Sequence, residues 1–178
     1  MSKALSISNK IMSLKGRILI TDLEDNLCYD AKGNFSFFRN KKWSVTQDEN
    51  EVFSIRKKVF SWSPTYMVNS KIGNFYLKRK TLSLKRKYFV HDGKYKGTTA
   101  EGSFWDQNFT LRSKEKVIAK VNSKLFTLRD RHAVELVDET SEAELMTVIF
   151  MVMNQLEKAR EAQQQKQKKL QQQKSKKK

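Results

Sequence analysis

A single cysteine, Cys28, stands among the 178 residues. That scarcity excludes an internal disulfide and any metal site built from several thiolates, and it removes dependence on an oxidising compartment. Cys28 itself reads as a small strand residue. Histidine is almost as scarce, with only His91 and His132, and there is no G-x-S-x-G elbow, H-E-x-x-H pair, Walker A loop or G-x-G-x-x-G turn. His91 falls in the turn-like His91-Asp-Gly93, and His132 takes a position that is otherwise apolar in the pattern described below, so both read as structural. No enzyme activity and no cofactor are expected; a small-molecule hydrolase using these histidines ranks third among the functional readings. The acidic run from Thr21 to Asn26 lacks the alternating oxygen ligands and terminal Glu of an EF-hand loop and reads as a strand connection. Long apolar runs are missing too. The longest, Leu145 to Met153, is nine residues including Thr147, far short of the roughly 20 that span a bilayer. The first residues alternate apolar and polar with no h-region of a signal peptide, so a cytoplasmic protein is expected.

What the chain does contain is a short module repeated six times. Its anchors are Ser13, Ser36, Ser61, Ser83, Phe104 and Thr127, spaced 21 to 25 residues apart. After a short polar loop come the pairs Ile18/Ile20, Trp43/Val45, Tyr66/Val68, Tyr88/Val90, Phe109/Leu111 and His132/Val134. Self-similarity at a fixed period specifies a repeated unit. Short runs of aromatic and β-branched residues broken by short loops make that unit a β-hairpin, so six copies predict about twelve strands. In the third and fourth copies the apolar parity changes, from Phe53 and Ile55 to Phe60 and Trp62, and from Phe75 and Leu77 to Leu82 and Leu84. This predicts a β-bulge or corner. The aromatics, Trp62 among them, occupy apolar positions of the repeat and are assigned to the core.

The C-terminal element differs. Ser141-Glu-Ala-Glu144 has the spacing of a capping box, and Leu145 to Leu156 is apolar on every side, so the helix must be enclosed by protein. A closed barrel of about twelve strands has a lumen wider than its own side chains fill. Such a helix, about 22 Å long over residues 142 to 156, plugs it. The predicted fold is therefore mainly β: a closed barrel of about twelve antiparallel strands around a central hydrophobic C-terminal α-helix. Residues 1–157 form the domain, with the central helix over 142–157. Residues 158–178, rich in Gln and Lys with a net charge of +8, are expected to be a helical extension that frays into disorder.

Several segments resemble the LURP-one-related family, whose tubby C-terminal-like fold is shared with phospholipid scramblases. They are Val59-Phe-Ser-Trp-Ser-Pro-Thr-Tyr-Met-Val68, Gly102-Ser-Phe-Trp-Asp-Gln-Asn-Phe109, Ile118-Ala-Lys-Val followed by Lys124-Leu-Phe-Thr, and the terminal apolar helix. The resemblance covers residues 1 to 157 and implies a twelve-stranded barrel around a central helix. Tubby domains bind phosphoinositides and scramblases are associated with lipid movement, so the resemblance also implies a lipid-related role. A cysteine-rich lipidation segment and a spanning helix are absent, which argues against scramblase activity itself.

Charge supplies the remaining expectation. The chain carries 36 Lys/Arg against 19 Asp/Glu, a net +17. Loops inside the hairpins hold ten Lys/Arg and two Asp, about +8, while connections between hairpins hold six Lys/Arg and ten Asp/Glu, about −4. If alternate loops lie at opposite ends, one rim is basic and the helix delivers the basic tail to it. The candidate anion-binding residues are Lys15, Arg17, Lys41, Lys42, Lys58, Lys80, Lys85, Arg86, Lys87, Arg129 and Arg131. Their expected partner is an anionic phospholipid surface or a phosphorylated head group, bound peripherally at the inner membrane surface by a monomer. A scaffold that binds nucleic acid or an acidic protein through the tail is the alternative. In that case cutting the chain at Glu157 abolishes binding and spares the fold.

Overall fold

A computed structural model describes residues 4–8, 17–34, 42–58, 60–80, 87–103, 108–122 and 131–175. Twelve strands precede one helix: β1 (Ala4–Ser8), β2 (Arg17–Thr21), β3 (Leu27–Asn34), β4 (Lys42–Gln47), β5 (Asn50–Lys57), β6 (Thr65–Ser70), β7 (Gly73–Arg79), β8 (Lys87–Val90), β9 (Thr99–Ser103), β10 (Asn108–Ser113), β11 (Lys116–Asn122), β12 (Arg131–Leu136) and α1 (Ser141–Ser175). Each strand pairs antiparallel with the next, and β12 returns to β1 with Leu5 opposite Val134, so the sheet closes into a barrel with no free edge. Consecutive pairing also fixes the loops: successive connections alternate between the two mouths.

Alternation along the strands builds the lining. Ile18, Ile20, Val45, Tyr66, Val68, Tyr88, Val90, Phe109, Leu111 and Val134 of the repeat pairs are all buried, and Trp43 packs against the same core. The His132 side chain lies outside the described residues. Small residues sit opposite large ones: Ala31 faces Val45, Gly33 faces Trp43, and Ala100 lies between Tyr88 and Leu111. A Cβ on Gly33 would come within 2.8 Å of the Trp43 ring. The small positions thus make room for the aromatic neighbours. At the mouth opposite the hairpin loops, β4–β5 and β10–β11 are joined by Asp48-Glu49 and Lys114-Glu115, with φ positive at both residues of each pair. That is the mirror-image turn whose twist matches two-residue hairpins.

The helix fills the lumen. From Ala143 to Gln155 every residue is buried, and Val148, Ile149, Phe150, Val152 and Met153 are fully so. Thr147 satisfies its hydroxyl by donating to the Ala143 carbonyl at 2.7 Å. Two phenols reach the helix from the barrel wall. Tyr29 donates to Glu144 at 3.0 Å, and Tyr66 donates to Glu157. The helix's first turn is clamped from outside, where Glu142 accepts from Lys94 at 2.8 Å and Tyr95 at 2.5 Å.

Two local expectations change. The helix does start at Ser141, but its cap is Thr140: the Thr140 hydroxyl accepts from the Ala143 amide at 3.3 Å, while Glu144 turns inward to Tyr29. A carboxylate with a buried phenol in reach serves the lumen rather than the cap. In the third copy the parity change marks the end of β5 at Lys57, and Phe60 and Trp62 stand outside the core. The register shifts lie elsewhere, after Ile20, Val45 and Leu111; the corresponding segment of the fourth copy, 81–86, lies outside the described residues. Past residue 157 the expected helical extension continues the plug as one element, with α1 running to Ser175. Its composition explains this, because Glu, Ala, Gln, Lys and Leu are all strong helix formers.

Candidate anion-binding mouth

The even-numbered strands begin at the mouth formed by the hairpin loops. Arg17 opens β2, Lys42 opens β4, Lys87 opens β8 and Arg131 opens β12. Lys58 follows the last residue of β5 and Lys80 follows that of β7, so the topology gathers these six backbone positions at one end. Lys15, Lys41, Lys85, Arg86 and Arg129 lie outside the described residues. The other mouth carries Asp22, Glu24, Asp25, Asp48, Glu49, Asp138 and Glu139. Its run 21–26 is a self-contained turn: the Asp22 carboxylate accepts from the Glu24 and Asn26 amides and from the Asn26 side chain, each at 2.9 Å. Asn26 holds Asp22 below the usual carboxylate range. No group of three metal-ligating side chains occurs among the described residues.

Three rim cations meet carboxylates on the neighbouring strand. Arg17 makes a two-pronged contact to Asp30 at 2.8 and 2.7 Å, joined by Lys32 at 2.9 Å. Lys42 pairs with Glu51 at 3.2 Å, and Lys87 with Glu101 at 3.0 Å. These pairs lower the net charge that part of the rim presents to solution. Burial alone would raise the Asp30 pKa, but hydrogen bonds from Arg17 and Lys32, with their charges, outweigh it and leave it lowered. A carboxylate whose folded pKa is depressed contributes stability above its unfolded pKa of about 4. That contribution is lost as pH falls through the folded value. In thermal melts at graded pH, Asp30→Asn is expected to flatten the acid limb below about pH 4 and to cost no more than about 1 kcal/mol at neutral pH, since Arg17 and Lys32 are half exposed.

Lys58 and Lys80 are exposed, and Lys58 borders a second feature. Between the β5–β6 connection and the outer face of β7 lies an open groove of about 630 Å³, bounded by Lys58, Phe60, Trp62, Tyr76, Lys78 and His91. Sequence reasoning missed it by assigning Phe60 and Trp62 to the core. The available signal was Pro64, which interrupts the extended run just after them. His91 packs edge-on against Phe89, 6.3 Å between ring centres, and the neighbouring Asp92 carboxylate accepts from the Tyr76 amide at 2.7 Å. Asp92 is thereby committed to holding the turn. The buried Tyr29–Glu144 and Tyr66–Glu157 contacts were also invisible in the sequence. Burial, then the adjoining glutamate, pushes each phenol above its ordinary pKa, so both remain protonated donors that hold the plug.

Among the described residues no helix is long and apolar enough to cross a membrane. No curated protein matches the sequence significantly. A protein from Arabidopsis thaliana solved by X-ray crystallography is similar in fold, with a TM-score of 0.55 at 16% identity, covering 85% of this chain and 91% of the other. Residues 3–154 match the LURP-one-related family. Fold and family together support a binding module at the level of class. From the closed twelve-strand barrel, its enclosed helix and that match over most of its length, this chain belongs to the LURP-one-related family.

Proposed function

We propose that this chain is a non-enzymatic module that attaches peripherally to an anionic phospholipid surface, or holds a phosphorylated lipid head group, through its basic mouth and tail. One observation carries the reading. Strand topology gathers Arg17, Lys42, Lys58, Lys80, Lys87 and Arg131 at one mouth, and α1 enters from the acidic mouth and leaves through the basic one. Tyr29 meets the helix near its start and Tyr66 meets it 13 residues later, about 20 Å along the axis. The following lysines therefore emerge on the side where the rim cations lie. Such a one-sided arrangement orients the barrel toward a negative plane, and clustered Lys/Arg near an anionic leaflet contribute about 1 kcal/mol each.

Sedimentation with vesicles of graded phosphatidylserine content tests the reading. Bound protein is expected to rise with anionic content and to fall as salt shortens the screening length. Binding indifferent to both would overturn it. Residues 164–173 are exposed, which favours one second reading, a scaffold that holds an acidic protein or nucleic acid through the tail alone.

A further inference from the structure

Phe60 and Trp62 are 90% and 107% exposed, whereas the next most exposed large apolar side chains among the described residues, Leu23 and Leu27, stand at 54%. Two large aromatics two residues apart on one loop are not the scattered surface hydrophobics that any protein shows. The loop is also held in shape. Lys58 N–H donates to the Thr65 carbonyl at 2.8 Å, and Arg79 N–H donates to the Pro64 carbonyl at 3.1 Å. Ser61 Oγ donates to the Ser63 carbonyl and lies 2.9 Å from Thr65 Oγ1, which itself reaches that carbonyl at 3.0 Å. Hydrogen bonds at Lys58, Pro64 and Thr65 thus tie down the flanks of the loop while the two rings stay in water.

Lysines lie beside the rings. Lys58 and Lys78 line the adjoining groove, and Lys80 follows the neighbouring strand at the same mouth. Aromatic tips with cations beside them match a lipid interface chemically, because Trp favours the level of the head groups and Lys reaches their phosphates. A bound strand of nucleic acid would instead call for aromatics laid along a groove, where successive bases stack. Here the aromatics sit in the connection between strands rather than along one.

From this we infer that the Phe60–Trp62 loop is a membrane wedge, its two rings entering the boundary between head groups and acyl chains of an anionic bilayer while Lys58, Lys78 and Lys80 contact lipid phosphates. The inference rests on reading the basic mouth as a lipid-binding surface. It adds an apolar contribution to what would otherwise be purely electrostatic attachment, so part of the binding survives high salt. Because both rings are exposed, replacing them leaves the packed barrel untouched.

The full chain is to be mixed with phosphatidylcholine vesicles, with and without phosphatidylserine, in versions carrying bromine on the acyl chains. Sedimentation and tryptophan emission are read together. Bromine is expected to quench the intact chain on phosphatidylserine vesicles and to quench Trp62→Phe far less, which isolates Trp62 from Trp43 and Trp105. The double variant Phe60→Ser/Trp62→Ser is expected to bind at least about tenfold more weakly and to lose the salt-resistant fraction. Salt-sensitive binding without bromine quenching, unchanged in the double variant, overturns the wedge and leaves the basic mouth standing. Failure of the intact chain to sediment with either vesicle overturns both. A Trp62-dependent emission change with a single-stranded oligonucleotide, absent with vesicles, overturns the wedge in favour of base stacking.

Discussion

Phe150→Ala is expected to lower the unfolding free energy by about 3–5 kcal/mol. Phe150 is fully buried in the middle of the enclosed stretch of α1, inside a sheet that closes on itself. The number of strands and their hydrogen-bonded register set the circumference of a barrel, so the wall has little freedom to contract around a shortened side chain. The cavity term should therefore fall at the upper end of its range. Leu170→Ala on the same helix supplies the comparison. Leu170 is 50% exposed and lies past the buried segment, and its truncation should shift stability by less than about 0.5 kcal/mol. Urea unfolding of the two variants checks both. Similar losses would mean that the helix is held along its whole length, and a negligible loss at Phe150 would mean that the lumen does not depend on the plug.

How much of this was legible follows from what each signal measures. The spacing of Ile18/Ile20 through Phe109/Leu111 reports inward alternation directly, because a strand has a period of two and the core accepts only one face. Strand count and the sorting of loops by mouth came from that, while closure needed the apolar helix as well. Leu145 to Leu156 reported enclosure just as directly, since only a surrounded helix can be apolar throughout. Tyr29 and Tyr66 behaved otherwise. In a periodicity they count as apolar lining, and nothing in sequence pairs them with Glu144 and Glu157, 115 and 91 residues away. Trp62 misled for a related reason: it continues the repeat in type but lies beyond the end of β5, where alternation no longer specifies a side. At the mouth, the partners Asp30, Glu51 and Glu101 of the described cations sit on adjacent strands and depend on register. A loop-by-loop charge count therefore overstates what the rim offers a ligand.

Ending the chain after Glu161 is expected to weaken binding to phosphatidylserine vesicles by about 100-fold or more while leaving the melting temperature within a few degrees of the intact protein. The deleted residues, 162–178, carry seven lysines and no acidic side chain. At up to about 1 kcal/mol for each Lys near an anionic surface, three engaged at once account for such a loss. The fold should tolerate the cut because Glu157, whose contact with Tyr66 is retained, is the last buried residue of α1 among those described, and residues 164–173 are exposed. Cutting beyond Glu161 rather than at Glu157 also keeps the new terminal carboxylate one turn away from that buried contact. The same protein separates the two readings of function. If the mouth and its aromatic loop share the work with the tail, the shortened chain still sediments with phosphatidylserine vesicles at low salt, and combining the cut with Phe60→Ser/Trp62→Ser removes what is left. If the tail alone is the ligand-binding element of a scaffold, the cut abolishes binding to vesicles and polyanions alike and the aromatic substitutions add nothing. Unchanged vesicle affinity in the shortened chain would place all of the attraction on the barrel and remove the tail from the mechanism.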